Sequence, residues 1–210
     1  MNYKFTLLYT LFICIISSCD DHKNTIPEAI SNPSFLSKNR LKPRTNLFSY
    51  ENEALAILDQ KENSERFMPL NGTWKFHLAK NPRKVKTALT QPDYPLRNMD
   101  DILVPGNWEA QGFGIPYYLD VEYPFKANPP LIPLDNPVGI YKRKFTLKNS
   151  FKSNEKTILY FGSVRSAMYL WINGKEVGFA KGSKVPIEFD ITSYLNRNEK
   201  THDCLQSYVT

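Results

Sequence analysis

The sequence predicts an all-β protein, an antiparallel β-sandwich of jelly-roll type. Three observations lead there. Apolar residues recur at every second position through most of the stretch from about residue 70 to 195. Asn-Gly pairs punctuate those runs, and they are the turn residues of tight hairpins. The third is the absence of any long amphipathic helix pattern, together with 15 prolines against 9 glycines, the balance of a loop-rich β chain. Apolar residues make up 41% of the 210 and aromatics 13%, ample for a packed core.

The elements follow in order. Tyr50 to Gln60 could form a short helix, with Ala54, Leu55 and Leu58 on one face. Asn71-Gly72 is a turn, after which Trp74, Phe76 and Leu78 alternate to one side of a strand. Ile102 to Val104 is a short strand ended by Pro105, which has no amide proton to give to a ladder. Gly112 to Pro137 shows little alternation, so it is expected to be a long ordered loop of the kind that carries function. Tyr141 to Leu147 alternates again. Thr157 to Phe161 is apolar throughout, as a central strand would be. Ala167–Ile172 and Glu176–Lys181 face each other across Asn173-Gly174, the strongest local hairpin signal in the chain. Ile187 to Ile191 adds one more strand. No internal repeat is visible.

The net charge of +6 is modest. The densest basic run, Lys38-Asn-Arg40-Leu-Lys42-Pro-Arg44, reads as a solvated, flexible arm, because nucleic-acid binding needs a basic face on a folded element. Lys142, Arg143 and Lys144 lie within a strand pattern, so their side chains alternate and form no single patch. His22, His77 and His202 lack metal-ligand spacing, and no metal site is expected.

The N-terminus has a charged Lys4 and then an apolar run from Phe5 to Ile16, of signal-peptide length and too short for a stable membrane span. Ile16-Ser17-Ser18-Cys19 resembles a bacterial lipobox, in which the chain is cut before the cysteine and its thiol is acylated. That resemblance implies an exported lipoprotein: residues 1–18 as signal, Cys19 as the lipidated residue, and 19–46 as a polar, proline-bearing tether leading to a sandwich over 47–200. Asp20 and Asp21 resemble the acidic run of some surface-exported lipoproteins. With Cys14 in the signal and Cys19 acylated, only Cys204 remains, which excludes an internal disulfide.

A set of ordered motifs then points to a family. They are Asn71-Gly72-x-Trp74-x-Phe76, Val104-Pro105-x-Asn107-Trp108, Tyr123-Pro124-Phe125, Asn128-Pro129-Pro130, Asn136-Pro137-x-Gly139-x-Tyr141, Trp171-x-Asn173-Gly174 and Glu188-Phe189-Asp190. In order and spacing the set resembles the N-terminal sugar-binding domain of glycoside hydrolase family 2, in particular the large bacterial β-galactosidases. Taken alone, Trp108 and Tyr117 read as core or interface aromatics rather than ligand platforms.

The resemblance implies a galactose-binding-like sandwich whose long loop reaches the active site of a neighbouring barrel. It also implies a sugar-contacting residue within Tyr118-Leu-Asp120-Val-Glu122-Tyr123-Pro124. The matching position is Asp120, where the family has Asn; a carboxylate accepts from sugar hydroxyls but has no amide donor. Read without the family, Asp120 is a loop acid that caps backbone amides.

Glycosidases need two carboxyl groups about 5 to 9.5 Å apart. Nothing in the spacing of Glu109, Asp120, Glu122, Glu188 and Asp190 pairs them. The family's catalytic glutamates and divalent metal sites belong to a later barrel. The chain by itself is therefore expected to be inactive and to hold no cofactor. Its expected partners are a β-galactoside and, through the lipid, a membrane; nucleic acid is not among them. A stand-alone carbohydrate-binding lipoprotein, with Tyr117, Tyr118, Tyr123 and Phe125 facing a glycan, is the alternative reading. A purely structural interaction module is a third.

The end of the chain departs from the family. Where another alternating core strand is expected, residues 201–210 read THDCLQSYVT, and His202 and Asp203 break the hydrophobic pattern. Back-translated one nucleotide later, the same stretch can encode an alternating apolar string, which suggests a frameshift near codon 201. The expectation is a sandwich incomplete at its C-terminal strand, with an open sheet edge and the catalytic domain on a downstream reading frame.

Overall fold

The computed structural model describes residues 27–45, 47–116, 128, 131–133, 135–196 and 201–208, the last stretch as main chain only. Nine strands and two short helices are assigned among them. The strands are β1 (Ser37–Lys38), β2 (Gly72–Ala79), β3 (Asp100–Val104), β4 (Val138–Phe145), β5 (Ile158–Phe161), β6 (Ala167–Ile172), β7 (Lys175–Lys181), β8 (Ile187–Asp190) and β9 (Thr201–Tyr208). Seven form one antiparallel sheet in the order β1-β7-β6-β9-β4-β2-β3, and β5 pairs with β8 in a second sheet. This is the all-β, antiparallel architecture that the sequence predicts.

Alternation places each side chain. Along β6, Met168, Leu170 and Ile172 face the small sheet and meet Leu159, Ile187, Phe189 and Ile191. Ala167, Tyr169 and Trp171 face the other way. There they join Val138 and Ile140 of β4 under a layer of irregular chain that contributes Leu89, Met99 and Ile30. The layer is built from one-turn 3-10 helices at Pro82–Lys84, Thr87–Thr90 and Leu96–Asn98, and from α1 (Glu28–Ser31). Phe76, Phe179 and Phe189 are fully buried, each stabilising the fold by about 1.5–3 kcal/mol.

The hairpin at Asn173-Gly174 forms as expected. Asn173 (φ 51°) and Gly174 (φ 76°) both take the left-handed conformation that a two-residue primed turn requires. A register shift between Leu170 and Trp171 marks a bulge in the pairing of β6 with β7, and it lets Val177 and Ala180 reach the same layer.

Three expectations are corrected. First, Thr157–Phe161 is not central. Among the described residues β5 pairs with β8 alone, Leu159 is buried, and Ile158 and Tyr160 lie on the open face, so its apolar run covers both sides of a two-stranded edge.

Second, the segment expected as a flexible tether packs on the sandwich from residue 27 onward. β1 extends the large sheet beside β7, Leu41 N–H donates to Glu188 O across the small sheet (2.9 Å), and Asn39 Nδ2 donates to Val177 O (2.8 Å). The basic run is ordered by the same docking: Lys38 pairs with Glu176 (2.8 Å), and Arg44 holds both carboxylate oxygens of Glu188 (2.8 and 3.0 Å). Its charges found partners on two strands distant in sequence, which a local reading cannot see.

Third, the sheet is not incomplete at its C-terminal strand. β9 lies between β4 and β6, pairing with β4 over Thr201–Tyr208 and with β6 over Asp203–Tyr208, so no edge opens there. The physical reason is that ladder pairing uses main-chain groups. All eight residues, Thr201 to Tyr208, are non-proline and supply them whatever their hydrophobic pattern.

The short helix expected within Tyr50–Gln60 forms as α2 (Glu53–Leu58), capped by Asn52 Oδ1, which accepts from Leu55 N–H (3.0 Å), and it has no fully buried residue. Ile57 is 76% exposed and Leu58 59%.

Candidate functional site: the roots of the long loop

The residue on which the sequence analysis placed sugar contact, Asp120, lies outside the described residues, as do Glu122, Tyr117, Tyr118, Tyr123 and Phe125. What the structure shows is how the loop that carries them is held at both ends.

The outgoing root begins where β3 ends. Trp108 is buried, with its ring 5.8 Å from that of Phe76; Phe113 meets Phe76 edge-on at 4.7 Å. Tyr141 packs on Phe76 from the neighbouring strand at 4.8 Å. Trp108 can lie so close only because residue 139 is glycine: a Cβ there would sit 2.2 Å from the indole ring. This explains two of the ordered motifs physically. Asn107-Trp108 and Gly139-x-Tyr141 are two sides of one contact.

Between them, Glu109–Gln111 form a single 3-10 turn that ends at Gly112, whose φ of 87° is costly for any residue with a side chain. Phe113 N–H returns to Trp108 O (3.0 Å). The Gln111 carboxamide closes the open edge of β3. Leu103 N–H donates to Gln111 Oε1 (2.7 Å), and Gln111 Nε2 donates to Leu103 O (3.0 Å). One side chain thus makes the pair of bonds that another strand would make.

The returning root packs on the opposite face of the sheet. Asn128 and Leu131 form an isolated bridge, and Ile132 packs on the core cluster of Val138, Ile140 and Leu89. Asn136 is 3% exposed, just before β4. The loop is therefore clamped from both faces, with Phe76 under one root and Ile140 near the other.

Lys142, read from sequence as one of three alternating strand cations, is buried in that second layer. Its Nζ donates to Gln91 O and lies over the Tyr94 ring at 5.5 Å. Arg143 points the other way, over Trp74 at 5.8 Å. The absence of one basic patch is as expected.

The described carboxylates carry structural duties. Glu188 is held by Arg44. Asp190 accepts from the Thr192 hydroxyl (2.6 Å) and amide (3.1 Å). The hydroxyl bond in particular holds its carboxyl below the usual carboxylate range. Glu109 lies close enough to Tyr141 to add to the rise that burial imposes on that phenol. Among the described residues no group of three or more His, Cys, Asp or Glu side chains comes together as a metal site.

Sequence reasoning missed Gln111 and Lys142. Gln111 carries no local signal, since any polar loop residue looks alike. Lys142 is one of three consecutive cations, and the one that is buried is fixed by the face of β4, not by its neighbours in sequence.

Comparisons with known proteins agree with this architecture. Residues 67–204 match the family model described as "Glycosyl hydrolases family 2, sugar binding domain". The chain is 38% identical over 183 residues to a β-galactosidase of Priestia megaterium, covering 85% of this chain and 18% of that protein. It is 39% identical over 168 residues to a β-galactosidase of Vibrio cholerae, covering 80% and 16%. The chain thus spans less than a fifth of the length of these curated relatives. Among solved structures, a β-glucuronidase of Ruminococcus gnavus superposes over 68% of this chain and 21% of its own, with a TM-score of 0.50 at 20% identity, a likeness of fold alone. The family-model match over residues 67–204, more than half of the chain, places it in glycosyl hydrolase family 2, as a bearer of that family's sugar-binding domain.

Proposed function

We propose that this chain is the sugar-binding and scaffold part of a β-galactosidase-like hydrolase acting on terminal β-galactosides. The observation that carries the reading is the match to β-galactosidases at 38–39% identity over 80–85% of the chain. The packing of the two loop roots on the sandwich is consistent with it, since loops anchored on a rigid scaffold commonly carry binding residues.

In this reading Asp120 accepts hydrogen bonds from galactosyl hydroxyls, where the family's amide would both accept and donate. The sandwich supplies no bond-cleaving acids and no cofactor; the nucleophile, the acid/base and any divalent metal belong to a catalytic barrel. The chain is exported and anchored through an acylated Cys19, on the periplasmic face or the outer-membrane surface, with residues 1–18 removed. Cys19 and the signal lie outside the described residues.

A domain exchange tests the main point. This chain replaces the matching segment of the Priestia megaterium enzyme, and the chimera is assayed on 4-nitrophenyl β-galactoside and β-glucuronide. The expected chimera hydrolyses the galactoside only. Asp120→Ala then raises KM by about tenfold, the loss of one charge-assisted bond. A folded chimera that prefers the glucuronide, or hydrolysis by the unfused chain that disappears when one of its own acids is neutralised, overturns the reading. Mass spectrometry of the mature N-terminus checks the anchor: a diacylglyceryl group on Cys19 is expected, and an unmodified cysteine defeats that part.

A further inference from the structure

A cleft of about 330 Å³ opens where α1, the returning loop root and the start of β6 meet. That is within the size range of small-ligand sites, about 300–1,000 Å³. Its walls are largely apolar, from Ile30, Pro33, Ile132 and Ala167. Ser31 and Ser166 add polar edges.

The lining also includes one cation, Lys181 at the end of β7. Its Nζ donates to Asn32 O (2.7 Å) and lies 5.9 Å from the centre of the Phe179 ring. An ammonium has three donors, and the described acceptor takes one. No carboxylate pairs with it among the described residues, although Lys38, on the strand beside β7, is neutralised by Glu176. Partial burial already pulls the Lys181 amine below its ordinary range.

We propose that this cleft binds a carboxylate: its oxygens accept the remaining Lys181 protons, and its aliphatic part rests on Ile30, Pro33 and Ile132. The inference is independent of the galactoside reading. The carboxylate can come from a small free acid or from an Asp or Glu side chain of a polypeptide.

Amide-resolved NMR of the lipid-free chain distinguishes these. The probes are sodium isobutyrate, uncharged isobutyramide, and aspartate blocked as its N-acetyl, N′-methyl amide. Saturating shifts at Ser166, Ala167 and Lys181 are expected with at least one acid at millimolar concentration, and none with isobutyramide. Lys181→Met should weaken binding by about tenfold or more, and Lys181→Arg should retain it. Tighter binding of blocked aspartate assigns the site to a polypeptide carboxylate, and tighter binding of isobutyrate to a small acid. Shifts that do not saturate by about 100 mM, equal binding of acid and amide, or an unchanged affinity in folded Lys181→Met overturn the proposal. If Lys181→Met does not fold, the contrast between isobutyrate and isobutyramide on the wild-type chain decides alone.

Discussion

The two halves of the large sheet are covered by different kinds of structure. Over β6 and β7 the cover is a second sheet, β5 with β8, and the contact is largely aliphatic. Over β2, β3 and β4 it is the irregular loop root at 105–113, and the contact is aromatic: Trp74, Phe76, Trp108, Phe113 and Tyr141. Each half has one glycine where cover and sheet touch. A Cβ at Gly178 would lie 2.4 Å from Lys38 O and 2.6 Å from the Phe189 ring, and one at Gly139 would lie 2.2 Å from Trp108. The small sheet is held by a ladder, so its position is overdetermined. The loop root has no ladder, so large rings and one glutamine do that work. The half that carries the loop roots has an aperiodic cover; the other half has a strand-paired one.

The comparison can be broken most forcefully by removing the ring at the centre of each cover. Phe189→Ala and Trp108→Ala should each cost about 3–5 kcal/mol in urea unfolding. They differ in reach. Trp108→Ala should shift the backbone resonances of 105–116, whereas Phe189→Ala should leave that segment in place. Equal disturbance of the loop root by both would show that the halves are not separable.

The glycines give the next effect. Gly178→Ala and Gly139→Ala should each destabilise by about 1–3 kcal/mol through overpacking. Gly178→Ala should cost more, because one of its obstructions is main-chain oxygen and cannot rotate away. A larger loss for Gly139→Ala would mean that Trp108 is held more firmly than Phe189.

Gln111→Leu should cost about 1–2 kcal/mol, since it removes two bonds at an exposed edge. It should also speed amide exchange at Leu103. Unchanged exchange there would show that the edge needs no cap.

The smallest effect concerns acid. The Asp190 carboxyl is held below its ordinary range, chiefly by the Thr192 hydroxyl. Its contribution is therefore complete above the unfolded value of about 3.9 and is lost as pH falls through the lower folded value. Asp190→Asn should make the acid limb of the melting curve shallower. A carboxyl ¹³C titration of Asp190 at or above about 3.9 would contradict this.

Much of the fold was legible because β structure writes a period of two into the chain. Trp74 and Phe76 on one side of β2, the Asn173-Gly174 turn, and β8 at Ile187–Asp190 needed nothing beyond local pattern. The roots of the expected loop, at 112–116, 131–133 and 135–137, show no regular strand, in keeping with the absence of pattern there; apart from Asn128, the rest of that stretch lies outside the described residues. The sugar-contact role expected of Asp120 rests on the family motif alone, and Asp120 falls outside the described residues. The misreadings share a cause. An all-apolar run such as Ile158–Phe161 fits a central strand or an edge with one face open, and only its neighbours distinguish them. Basic residues in a proline-bearing segment look solvated until Glu176 and Glu188 are brought beside them from more than 130 positions away.

By itself, then, the sequence determined the strands from β2 to β8, the hairpin and the family, because dihedral preference, alternation and motif order are properties of neighbouring residues. Only the tertiary structure decided that residues 27–45 seal one side of the sandwich, that Gln111 closes β3, that β9 fills the gap between β4 and β6, and that Lys181 borders a cleft. Each of those depends on which distant main-chain or charged group arrives within about 3 Å, and no periodicity along the chain encodes that distance.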